Sequence, residues 1–303
     1  MKTYLECIPC FMKQALFAAR EATGDEGTIK RVLDAVARQI PDIPFDCPPP
    51  KTARHIYGAV RDITGVSDPF RRLKKESVRL ALGHYERMKA AVAASDDPLR
   101  TAALVAIAGN VIDFGAHQRF DLEAEMDSVL GKPLAIDHYE SFRRRVGEAG
   151  TILFLGDNAG ETVFDRILIE TMGKRTFYAV RDIPIINDAT VEDAEESGIG
   201  HSARILSSGC DAPGTILERC SPEFLELFRS ADVIISKGQG NLECLSEVEG
   251  PIFFLLKVKC PVITRHLGAR KGGLVLMDAR RRLQSGHEPG VDAEPATVVG
   301  MKP

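Results

Sequence analysis

Tryptophan is absent from this chain, aromatic residues make up only 6% of it, and no apolar run is long enough to cross a bilayer. No membrane partner is expected on that ground. Neither sign of charge dominates. With 39 Lys and Arg against 43 Asp and Glu, the formal net charge is −4, so no global field recruits a polyanion. The basic stretch FRRLKKESVRL lacks an aromatic platform for bases and reads as a solvated helix face, so no nucleic-acid partner is expected either. The seven cysteines are odd in number and scattered, Cys7 and Cys10 excepted, which excludes a secreted disulfide framework and points to the cytoplasm. The opening MKTYLECIPCFMKQALF is broken by Glu6, Pro9 and Lys13 and lacks the continuous apolar core of a signal peptide. Internal repeats and low-complexity tracts are also missing, and oligomeric state leaves no trace in the sequence.

What remains is an ordinary globular composition, 44% hydrophobic and 27% charged, in a 303-residue chain that can bury a substantial core without a staple. Residues 1–147 read as a helical N-terminal region. ECIPCFMKQALFAAREA, TIKRVLDAVARQI, TARHIYGAVRDITG, RRLKKESVRLALGHYERMKAAVAAS and LRTAALVAIAGNVIDFG repeat apolar residues three and four apart, and no strand is expected there. The proline-rich PDIPFDCPPPKT connects two of these helices. Over 148–282 the period changes. TILFL, RTFYAV, ARIL, DVIIS and PIFFLL are short branched-aliphatic runs between polar and helical stretches, the pattern of an α/β protein with a parallel sheet buried on both faces. ETVFDRILIETMG and SPEFLELFRSA read as crossover helices, and 283–303 as a loose tail.

In an open α/β sheet, ligands sit beyond the carboxyl ends of the strands, so the residues just after each run come first. TILFL is followed by GDNAGE, with Asp157, Asn158 and Glu161. RTFYAV is followed by Arg181 and then INDAT, with Asp188. DVIIS is followed by KGQGNLE, with Lys237, Gly238, Gly240, Asn241 and Glu243. Asp157, Asn158 and Asp188 offer hard oxygen ligands for an octahedral divalent ion such as magnesium, manganese, cobalt or nickel. Lys237 and the amides of the following glycine-rich turn suit a phosphate. Each segment alone reads equally well as a ligand-free turn or helix cap, and only their coincidence after three strands favours a site. Earlier, Asn110 and Asp113 in GNVIDFG share a helix face and are either a capping pair or polar groups over the sheet mouth.

The ordered set GNVIDFG, GDNAGE, INDAT with Glu192 and Asp193, and SKGQGNLE resembles the damage-control phosphatases, formerly domain of unknown function 89 and also called acidic-residue methyltransferase-like. ECIPC resembles the cysteine-bearing short prokaryotic subfamily. The resemblance spans roughly residues 1–280. It implies a Rossmann-like αβα domain beneath the helical region and a metal-dependent phosphatase acting on small, damaged or unwanted phosphorylated metabolites. It implies Asp157, Asn158 and Asp188 as metal ligands and Lys237 as the phosphate contact, with Asn110 and Asp113 lining the same pocket.

On this reading the expected reaction is hydrolysis of a phosphate monoester. Asp157 and Lys237 act at the phosphoryl group, and a nearby carboxylate, with Asp113 the candidate, orients water. Glu161, Arg181, Asn110, Gly238, Gly240 and Asn241 are the further candidate substrate contacts. Attack by Asp157 itself, through an aspartyl-phosphate, stays open. One rival is a carboxyl methyltransferase using S-adenosylmethionine, although no G-x-G-x-x-G loop follows the first strand run. Another is a non-catalytic metal or phosphometabolite sensor. Cys7 and Cys10 read as a soft-metal or redox pair or as ordinary packed thiols, and the lack of a second C-x-x-C favours the latter.

Overall fold

The structure, a computed structural model, describes residues 1–109 and 132–284. Asn110 and Asp113 lie outside the described residues, as does the tail beyond 284. Five helices come first: α1 (Cys7–Ala22), α2 (Glu26–Gln39), α3 (Pro49–Thr64), α4 (Arg71–Ala93) and α5 (Pro98–Gly109). They match the five periodic segments. The expected strands follow as β2 (Thr151–Leu155), β3 (Arg175–Val180), β4 (Arg204–Ser207), β5 (Val233–Lys237) and β6 (Ile252–Lys257).

Two further strands complete a seven-stranded sheet in the order β1-β7-β6-β5-β2-β3-β4. Strand β1 (Ile136–Asp137) corrects the expectation of no strand before 147. At two residues it is too short for any periodicity to reveal. Strand β7 (Leu274–Asp278) runs antiparallel to β6, while every other pairing is parallel.

Side chains alternate strictly across the sheet. Ile152, Phe154, Val233, Ile235, Phe253 and Leu255 enter one core, packed by α4, α5, α6 (Tyr139–Glu148) and α7 (Thr162–Met172). Leu153, Leu155, Ile234, Ile252, Phe254 and Leu256 enter the other, with α9 (Pro222–Ser230), α10 (Gly238–Leu245) and α11 (Pro261–Leu267). Burial on both faces is why these strands read as continuous apolar runs. The remaining helices are α8 (Val191–Glu196) and α12 (Ala279–Gln284). Among the described residues, no helix is long and apolar enough to cross a membrane.

The chain moves outward from β2 through β3 to β4, then returns to the other side of β2 as β5. The loops after β2 and β5 therefore diverge, and a crevice opens between them at the carboxyl ends. Helices α1 to α3 form a third core around Phe11, Ala15, Val32, Ile56 and Tyr57, and Ile185 from the β3–α8 loop inserts into it. Arg54 on α3 donates to Asp211 at 2.6 Å, and buried Lys74 on α4 pairs with Asp193 at 2.9 Å. The helical region is thus fastened over the strand ends.

Candidate active site

Backbone pairing brings the GDN and INDA segments together. Ala189 N donates to Asp157 O at 2.7 Å, Ala159 N donates to Asn187 O at 2.9 Å, and Asn158 and Asp188 face each other as an antiparallel bridge pair. The ordinary cap reading fails for both segments. Thr190, not Asn187 or Asp188, caps α8 in a reciprocal capping box with Asp193, and Asn158 makes no side-chain cap at the 3₁₀ turn that follows it. Asp157, Asn158 and Asp188 instead line one cavity of about 420 Å³ beneath α1 and α3. Ile186, beside them, holds a φ of 45°, a left-handed conformation costly for a β-branched residue and typical of backbone that a functional loop forces into place.

Arg181 gathers the two carboxylates. Its Nε donates to Asp188 Oδ2 at 2.7 Å, and its Nη2 lies 3.8 Å from Asp157 Oδ1. The rest of the guanidinium is committed to Thr215 Oγ1 at 3.2 Å and Asn241 Oδ1 at 3.0 Å, and the side chain is 2% exposed. Arg181, an expected substrate contact, is placed here as a buried clamp whose donors are engaged by the chain. Asn241 is engaged likewise, because its Nδ2 donates to Gly156 O and Lys237 O and both ends of the amide are spent on the chain.

Lys237, the expected phosphate contact, lies behind the cavity rather than in its wall. It is the last residue of β5, fully buried, and absent from the cavity wall. Its Nζ donates to Glu161 Oε2 at 2.9 Å and to Asp165 Oδ1 at 2.5 Å, while Tyr178 Oη donates to the other Asp165 oxygen at 2.8 Å. Burial pulls the Lys237 pKa down, but Asp165 and Glu161 outweigh it and the net shift is upward, so the ammonium stays charged. Glu161 is an interior link rather than a substrate contact. Its Oε1 accepts from Asn158 Nδ2 at 2.6 Å, which leaves the Asn158 carbonyl oxygen as the atom available to a ligand. Lys237 thus orders Asn158 through Glu161.

The glycines after Lys237 serve close approach. Gly238 opens α10 with φ 76°, and a Cβ there would come 1.9 Å from Asp157 Oδ2. At Gly240, which does line the cavity, a Cβ would come 2.1 Å from Pro213 O. The glycine-rich turn expected to face a phosphate is a helix start, pressed against a carboxylate and a loop.

The donor set fits a hard divalent ion. Burial, then Asp188 and Glu161, pushes the Asp157 pKa well above the usual carboxylate range, and burial raises that of Asp188 despite Arg181. Two carboxylates that hold their charge this unwillingly gain most from a cation. Among the described residues no group of three His, Cys, Asp or Glu side chains is placed to hold a metal. The set is two carboxylates and one amide oxygen, which leaves coordination positions open.

Lys259 was missed by the sequence reading. It follows β6, is the one lysine or arginine lining the cavity among the described residues, and lowers the Asp157 pKa through its charge. It stands three residues beyond PIFFLL, the same kind of strand-end position as the other site residues.

Fold and site together define an α/β protein with an oxygen-rich cavity at a topological switch point. The chain matches the damage-control phosphatase ARMT1-like domain over residues 3–275 and belongs to that family. It is 36% identical over 290 residues to the damage-control phosphatase of Pyrococcus horikoshii, covering 93% of this chain and 100% of that relative. A protein named damage-control phosphatase from Archaeoglobus fulgidus is 32% identical over 286 residues, covering 91% and 98%. A crystal structure of a DUF89 family protein from Pyrococcus horikoshii matches with a TM-score of 0.86 at 36% identity, covering 92% of this chain and 99% of that one.

Proposed function

We propose that this protein is a divalent-metal-dependent phosphatase that hydrolyses phosphate monoesters of small metabolites. The observation that carries the reading is the pair of carboxylates, half-buried Asp157 and buried Asp188, gathered by one arginine at the wall of a cavity that also presents Lys259. Membership of a family whose relatives are named damage-control phosphatases supports it.

Asp157, Asn158 and Asp188 would hold the ion, which when bound supplies Lewis-acid neutralisation to the phosphoryl group and acidifies water. The remaining work falls to the chain. Arg181 fixes the Asp188 carboxylate, and Glu161, itself fixed by Lys237, turns the Asn158 amide. Lys259 contributes positive charge on the cavity side, where a phosphate brings negative charge. The roof of α1 and α3 excludes water from the reacting group, which strengthens every one of these interactions.

The methyl-transfer rival finds less support, since the carboxyl end of β2 carries Asp157 and Asn158 where an adenosyl cofactor would need a glycine-rich approach. Phosphate release from p-nitrophenyl phosphate, assayed with magnesium, manganese, cobalt and nickel, tests the proposal. Activity is expected with at least one ion and is expected to vanish with a chelator. Methyl transfer that survives chelation, without phosphate release, would overturn it.

Gly238→Ala is expected to displace Asp157, because the added methyl has no room beside Oδ2. Manganese affinity measured by titration calorimetry should fall by about 10–100-fold, the usual cost of disturbing the groups that orient a ligand. An unchanged affinity would mean that Asp157 does not bind the ion.

A further inference from the structure

The cavity has a second polar end. Gln239 and Glu243, four residues apart on one face of α10, both line it, whereas Asn241, Leu242 and Leu245 turn inward. Glu243 belongs to the GQGNLE motif, yet the phosphoryl machinery does not use it. Its surroundings are Cys7 and Cys10 from α1, Cys260 before α11, and the Met1 amine. The amine donates to the Glu243 backbone carbonyl at 3.0 Å and not to the carboxyl. Burial raises the Cys7 pKa to about 11 and raises that of Cys10, so both remain thiols, which are weak donors. No hydrogen bond or ion pair from the described residues reaches the Glu243 carboxyl, and burial pushes its pKa up to about 7.

Gly238 abuts Asp157 at the start of α10, and Glu243 stands five residues further along that helix, roughly 7–8 Å down its axis. Tyr57 also lines the cavity, and its Oη donates to Gln14 Oε1 at 3.2 Å. Much of the remaining wall is apolar. Phe17 and Phe70, with ring centroids 5.4 Å apart, stand with Phe11 and Leu73.

A ligand that fills such a space displaces water from Glu243, and nothing in the chain replaces those hydrogen bonds. An apolar group placed there would leave the carboxylate desolvated and unpaired, whereas a cation would pair with it. The Met1 ammonium, the cation the chain places near this end, is spent on the Glu243 backbone carbonyl, Ser246 Oγ and the Glu247 carboxylate, and Lys259 acts on Asp157. We propose that Glu243 is a specificity determinant for phosphomonoesters that carry a protonated amine on an apolar or aromatic body, at the end remote from the phosphate. The proposal rests on the phosphatase reading and names its substrate class.

The test uses the full-length, manganese-loaded protein and three esters matched in shape: 4-(aminomethyl)phenyl, 4-(hydroxymethyl)phenyl and 4-methylphenyl phosphate. In the parent protein kcat/KM for the aminomethyl ester is expected to exceed that for the methyl ester at least tenfold, chiefly through KM, with the hydroxymethyl ester well behind. In Glu243→Gln, which keeps shape and loses charge, the aminomethyl-to-methyl ratio is expected to fall toward one, and Glu243→Asp is expected to recover part of it. Because each ratio is taken within one protein, a partly unfolded variant does not imitate the result. Turnover of all three esters at equal efficiency, equal preference for the hydroxymethyl and aminomethyl esters, or a ratio unchanged in Glu243→Gln would overturn the assignment and leave the phosphatase reading intact. No turnover of any ester with any of the four ions would overturn both.

Discussion

Asp157→Asn is expected to lower metal-dependent phosphate release by about a thousandfold or more while making the metal-free protein more stable. The activity loss follows from removing one of only two carboxylates in the donor set, a larger change than the 10–100-fold expected from disturbing a supporting residue. The stability gain follows from the sign of the pKa shift. The folded Asp157 pKa lies above its unfolded value, because burial, Asp188 and Glu161 all oppose its charge. At neutral pH the folded state therefore pays for an ionised group that the unfolded state solvates freely, and the neutral amide removes that cost. Thermal melting in chelator, set beside the p-nitrophenyl phosphate assay, reads both quantities. A variant that loses activity together with stability would place Asp157 in the scaffold rather than in the ion site.

Lys237→Met is expected to destabilise the fold by about 3–5 kcal/mol, the usual consequence of stranding a buried carboxylate by removing its partner. Here two acids are stranded, Glu161 and Asp165, and among the described residues Tyr178 remains as the one donor to Asp165. Urea denaturation measures the loss. Adding Asp165→Asn to the same chain should restore part of it, because one stranded charge is gone. Had Lys237 been the phosphate contact, the single substitution would instead leave the denaturation midpoint in place and raise KM.

These two residues show what the sequence could disclose. That Asp157, Asn158 and Asp188 would meet at one cavity was legible because a doubly buried strand announces its own carboxyl end. Lys237 stands in the same kind of position, but its side chain continues the inward alternation of β5. The clue lay elsewhere, in Glu161 and Asp165, two acids four apart on the apolar face of a crossover helix, which demand a buried cation. Arg181 was misread for a similar reason. A strand-end arginine can reach outward to a ligand or sideways to fix ligands, and only the fold decides which. Strand β7 was within reach, since LVLMD is as apolar as the strands that were found. Strand β1 was not, because two residues carry no period. The roof, and with it the Glu243 end of the cavity, depends on how α1 and α3 face the sheet, which helical periodicity alone does not specify.

The central claim is that one divalent ion joins two loops through Asp157, Asn158 and Asp188. Anomalous diffraction at the manganese edge, from crystals grown with the ion, tests it most directly. The expected result is a single strong peak within about 2.0–2.6 Å of oxygens from all three side chains. A peak bound elsewhere, or none at saturating manganese, would contradict the account.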